Sequence, residues 1–135
     1  MLNKMLFLEF LRYVLWFDAL TSILLGVFQL LFAERLMIWL GLPAALLQLS
    51  GAMLLGYAAL AFAIARAEPM PRGWLWVLIL GNLAWAAVSL FLVLGRSLTP
   101  TELGLTYLVV HTVSPALLAS LQWCGVRRLP RWTTA

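Results

Sequence analysis

Few side chains in this sequence could do chemistry, and one of them sits where it costs most. Asp18 lies inside "WFDALTSILLG", residues 16–26, an otherwise apolar run. An ionisable group there is expensive, so it either serves a function or finds a partner that makes it tolerable. The single histidine, His111, and the single cysteine, Cys124, are the other reactive groups. One thiol makes neither an internal disulfide nor a Cys-x-x-Cys pair. Zinc asks for about four N, S or O ligands, and one His with one distant Cys falls short of that. Ser22 and Ser114 lack the Gly-x-Ser-x-Gly setting or a basic partner that would make a nucleophile. Glycine-rich phosphate loops and carboxylate clusters are missing as well. No catalytic residue, metal site or cofactor is expected.

The non-apolar residues recur at helical spacing. Asp18, Ser22, Gly26 and Gln29 form one set, and Ala45, Gln48, Ala52, Gly56, Ala59 and Ala63 a second. Asn82, Trp85 and Ser89 form a third; Gly104, Tyr107, His111, Ser114 and Gln122 form the fourth. Steps of three and four place each set on one helix face. Small and polar residues so arranged are what helix contacts in lipid prefer, so packing explains them without any ligand. The functional reading is an inward-facing cleft with Asp18, Ser22, Tyr57, Asn82, Trp85 and His111 as ligand-binding candidates. By the helical rise, Asp18 and Asn82 lie at similar depth and so do Gln29 and Gln48, which predicts a hydrogen bond within each pair. Two readings of Asp18 stay open. It forms a hydrated structural ion pair with Arg66, or it lines a cavity and binds a proton, a cation or a ligand amine.

The elements that must hold these residues follow from composition. The chain has 135 residues, 64% hydrophobic and 10% charged. Globular domains run at about 45–50% and about 25%. The excess apolar surface must face hydrocarbon, which predicts an integral membrane protein. Apart from Asp18, the charges cluster at 4–12, 34–35, 66–72, 96–102 and 127–131. Four helices between or across these clusters are expected at roughly 6–33, 44–66, 73–95 and 100–124, each near the ~20 residues that cross a ~30 Å core. The fold class is all-α, one domain, a four-helix bundle running up-down-up-down. Gly41 and Pro43 break the first helix from the second, and "RAEPMPRG" turns into the third. In "LTPTE" Thr99 is the expected N-cap, with Pro100 in the first turn and Glu102 completing a capping box. The first span is too long for a signal-peptide core and is expected to remain as helix 1.

Seven of the nine Lys and Arg residues fall on the side of the two termini and the second loop. The positive-inside rule then makes both termini cytoplasmic. The net charge of +4 is explained by topology, and no nucleic-acid partner is expected. Six of the seven tryptophans (Trp16, Trp39, Trp74, Trp76, Trp123 and Trp132) fall near a boundary, as an aromatic belt requires. Trp85 alone lies at mid-depth. Helices 1 and 3 show a faint likeness, too thin to establish a repeat.

"LLFAERLMIWLGLP", "LSGAMLLGYAAL" and the four short-looped spans resemble the DoxX-like group of small bacterial four-helix membrane proteins. The resemblance implies the architecture, a bacterial inner-membrane location and an accessory role beside a membrane oxidoreductase; no redox motif transfers with it. Small multidrug transporters also carry a carboxylate in the first of four helices. Theirs is a glutamate, and the charge bias here opposes dual topology. The five-helix translocator-type binders of sterols and porphyrins would need one more span. The expected function is a ligand-binding or accessory membrane protein with a pocket for a small apolar or amphipathic molecule. Its expected partners are membrane lipid and either a second copy or a partner membrane subunit. The rival is a proton- or cation-coupled transporter, or an oligomeric pore, with Asp18 as its switching carboxylate.

Overall fold

The computed structural model describes residues 2–129. Arg131 and Trp132, counted above in the charge bias and the aromatic belt, lie outside the described residues. Four helices fill the described chain: α1 Leu2–Leu40, α2 Ala44–Arg66, α3 Arg72–Leu94 and α4 Glu102–Arg128. All four are long and apolar enough to cross a membrane, with mean hydropathy from 1.4 to 2.4 over their most apolar windows. No more than 33% of any window is buried within the protein. Large apolar side chains such as Leu31, Phe91 and Leu94 are accordingly exposed. That outward face suits hydrocarbon and would be penalised in water.

The first helix is longer than its apolar window. At about 1.5 Å per residue its 39 residues extend about 58 Å, far beyond a ~30 Å core. It starts before residue 6 and continues past residue 33 through the exposed Glu34 and Arg35. The one departure inside it is Phe32, at φ −116° and ψ 18°. Gly41 ends it: at φ +66° it occupies the left-handed position that glycine tolerates, and its N–H donates to Met37 O at 2.9 Å.

The start of α4 also differs from the expected capping box. Thr101, not Thr99, is the N-cap, and its Oγ1 accepts from Gly104 N at 3.1 Å. A capping box needs Glu or Gln three residues after the cap, and glycine stands there. Glycine is required there, because a Cβ on Gly104 would run into Leu40 O. Thr101 Oγ1 also donates to Trp39 O at 2.6 Å, and Thr101 N to Leu40 O at 3.0 Å. Two of the carbonyls ending α1 are thus met by the hydroxyl and the N–H of the residue that caps α4.

A second clasp lies near the other end of α1. Arg12 donates to Ala65 O at 2.8 Å and to Ala67 O at 3.1 Å, and pairs with Glu68 at 3.4 Å. It therefore caps the carbonyl end of α2. Between the clasps α1 and α2 approach closely at Gly26 and Gly51, where a Cβ on either would lie 2.9–3.0 Å from the carbonyl oxygen of the other. The helix α1 packs on both α2 and α4, and α3 packs on α4, while α2 and α3 meet only sparsely.

The core falls into two apolar clusters. One gathers Leu11, Leu15, Leu75, Leu78, Ile79 and Val126; the other gathers Ala33, Leu36, Leu40, Leu42, Leu47 and Leu108. The inward faces expected for α1 and α3 are observed: Asp18, Ser22, Gly26, Gln29, Asn82 and Ser89 are all buried. The face expected for α2 is reversed. Ala45, Gln48, Ala52, Gly56, Ala59 and Ala63 are exposed, while Leu47, Ser50, Gly51, Ala58, Ala61 and Ala65 are buried. This helix carries small residues on most of its circumference, so small size alone does not select a face. Ser50 and Tyr57, the polar residues with partners on α1, select it.

Candidate functional site

Four polar side chains from four helices converge on one point. Asp18 of α1 accepts through Oδ2 from Tyr57 Oη of α2 at 2.5 Å and from Gln122 Nε2 of α4 at 3.0 Å. Asn82 of α3 donates to Tyr57 Oη at 2.7 Å and to Gln122 Oε1 at 3.3 Å. Gln122 Nε2 also lies 3.3 Å from Tyr57 Oη. Asp18 and Gln122 are 2% and 0% exposed, so these bonds form away from solvent. The donor order runs from Asn82 through Tyr57 to the carboxylate, each bond polarising the next. Every contact to Asp18 in the network is a donor, as an ionised carboxylate requires.

The expected partners of Asp18 are corrected in two respects. Arg66 does not reach it: Arg66 is exposed, with its guanidinium 5.5 Å from the centre of the Phe62 ring. The register explains this. Arg12 already faces Ala65, so Asp18 falls opposite Tyr57, and Arg66 lies about 13 Å farther along α2. Asn82 shares the network as expected, but it reaches the carboxylate through Tyr57 and Gln122. The second expected pair also changes: Gln29 Oε1 accepts from the Ser50 hydroxyl, and Gln48 is exposed.

Beside the network lies a cavity of about 530 Å³. All six residues singled out from the sequence (Asp18, Ser22, Tyr57, Asn82, Trp85 and His111) line it. Its volume falls within the ~300–1,000 Å³ typical of small-molecule sites. Apolar side chains make most of the wall. Phe17, Leu25, Val110, Leu117 and Leu121 are exposed rim residues from α1 and α4, so the cavity opens sideways between these helices. Met53 and Gly81 form an exposed rim on α2 and α3.

The remaining polar groups of the wall are the hydroxyls of Thr21, Ser22, Ser50 and Ser114, the His111 ring and the Trp85 indole. His111 Nδ1 lies 2.9 Å from Tyr107 O, which only accepts, so Nδ1 carries the proton and Nε2 offers a lone pair. Pro115, also in the wall, has no N–H for the carbonyl of His111 four residues earlier. Trp85 is half-buried, with its Nε1–H sealed and unpaired among the described residues. No group of three or more His, Cys, Asp or Glu arranged to hold a metal ion occurs among the described residues.

Sequence reasoning named Gln122 only as a packing residue, yet it is a direct partner of Asp18. The missed signal was depth. With α4 running to Arg128 rather than 124, Gln122 lies about 9 Å from its end, at the level assigned to Asp18. No protein-family model, curated protein or solved structure matches this chain.

Proposed function

We propose that this is a binding or accessory membrane protein that holds a small apolar or amphipathic molecule inside its helix bundle. The observation that carries the reading is the cavity itself: about 530 Å³, apolar in its walls, polar at the Asp18 network and open sideways. In a bilayer such an opening admits a molecule from the hydrocarbon without passage through water. The charge bias supports both termini lying in the cytoplasm of a bacterial inner membrane, with the helices running up-down-up-down. An accessory place beside a partner membrane subunit accords with the DoxX-like resemblance.

The test is to purify the full chain in mild detergent and identify what co-purifies by mass spectrometry. The control is Gly81→Phe. Gly81 lines the cavity, and a Cβ there would have no atom within 4 Å, so the ring enters free space. A defined small molecule with the wild type, lost from Gly81→Phe, is the expected result. Identical bulk lipid from both would overturn the reading. Reporter fusions at Ala135 and in the 96–100 loop should report opposite sides, and a periplasmic C-terminus would overturn the orientation.

A further inference from the structure

We infer that the molecule held in the cavity is a lipophilic amine, with its protonated ammonium against Asp18 and its hydrocarbon part along the apolar wall. The inference rests on the proposed binding role and names the chemistry of the ligand. Among the described residues Asp18 is the only acidic one lining the cavity, and no Lys or Arg lines it. Its partners Tyr57 and Gln122 are neutral, so they orient the carboxylate without cancelling its charge. Both bonds fall on Oδ2. Oδ1 accepts from neither of them. A buried charge without a counter-ion is costly, and a bound cation that donates a hydrogen bond to Oδ1 supplies what the protein leaves out.

The rest of the site points the same way. Among the described residues the wall carries no cation, an arrangement that disfavours an anionic head group. A neutral alcohol leaves the charge uncompensated. A quaternary ammonium compensates it but has no N–H for Oδ1. The exposed Leu25, Leu117 and Leu121 at the rim provide a surface for an alkyl chain arriving from the bilayer.

The experiment uses the full chain in nanodiscs of zwitterionic phosphatidylcholine at neutral pH, with isothermal titration against empty discs. The probes share one alkyl chain: dodecylamine, dodecanol, dodecanoate and dodecyltrimethylammonium. Dodecylamine should bind saturably and about tenfold or more tighter than dodecanol, the worth of one charge-assisted hydrogen bond. Dodecanoate should bind weakest, and the quaternary probe should fall between amine and alcohol. Asp18→Asn should bring amine and alcohol to within about twofold of one another. Equal binding of amine and alcohol to the wild type would leave the cavity a ligand site and overturn the amine. An amine preference that survives in a folded Asp18→Asn protein would overturn it too. No saturable binding of any probe would overturn the cavity reading as well. Should Asp18→Asn fail to fold, the wild-type ratio of amine to alcohol decides.

Discussion

Asp18 and Tyr57 should be energetically coupled, and Asp18 and Arg66 should not. Replacing Tyr57 by Phe removes the hydroxyl that donates to Asp18 and accepts from Asn82 at 2.7 Å. Asn82 then keeps only its 3.3 Å contact with Gln122, and Asp18 Oδ2 keeps only Gln122. A charge-assisted bond is worth about 1.5–3 kcal/mol in water-soluble proteins. Within membranes measured pairs average about 0.6 and reach about 1.7 kcal/mol, because the separated helices also find partners. Tyr57→Phe should therefore cost about 1–2 kcal/mol, and Asp18→Asn a similar amount. Their double mutant should fall short of the sum by about 1 kcal/mol, since the same bond is lost twice. Asp18→Asn with Arg66→Gln should add to within about 0.5 kcal/mol. Reversible unfolding in mixed detergent micelles, followed by tryptophan fluorescence, measures both cycles. Coupling below about 0.3 kcal/mol for Tyr57, or above about 0.5 for Arg66, would refute the network and its register.

Three further outcomes follow from close contacts. Gly51→Ala should lose about 1–3 kcal/mol by forcing α1 and α2 apart, whereas Gly56→Ala, with nothing within 4 Å of its Cβ, should gain up to about 1 kcal/mol. The same unfolding assay compares them, and equal effects would contradict the reversed face of α2. Gly104→Ala should cost about 2–4 kcal/mol, because its methyl overlaps Leu40 O and displaces the bonds of Thr101, while Thr101→Val should cost about 1–2 kcal/mol. Arg12→Gln should lower stability by about 1–2 kcal/mol through the two carbonyls it leaves unpaired at the end of α2, and hydrogen exchange should rise first in the last turn of that helix.

The four helices were legible because the apolar windows are uninterrupted apart from Asp18, and hydrocarbon thickness sets their length. Their ends were less so. The end of α1 depends on Gly41 meeting the start of α4, a contact between residues distant in sequence. The cavity-lining set was legible from polar spacing on α1, α3 and α4, where one face clearly differs from the others. On α2 the alanines and glycines surround the helix, and the sequence holds no contrast from which to choose. Register was the other missing quantity. An Arg66 side chain leaning back from the end of α2 was expected to reach Asp18, whereas the contacts of Arg12 with Ala65 and of Asp18 with Tyr57 fix the true alignment.

The two clasps make α1 a strut pinned near both ends, by Arg12 on α2 and by the carbonyls of residues 39 and 40 on α4. A strut pinned in this way resists sliding and rolling along its axis, because either motion breaks bonds at both pins together. Between them Asp18 bonds to Tyr57 and Gln122 and Gly26 meets Gly51, and the cavity opens beside this stretch, between α1 and α4. Pro115 removes one backbone bond from the facing wall, which makes that wall the more compliant of the two. Admission of a bulky guest would thus widen the gate without shifting the helix ends. Probes attached at the loops would register little, while probes at Leu25 and Leu117 would report the full excursion.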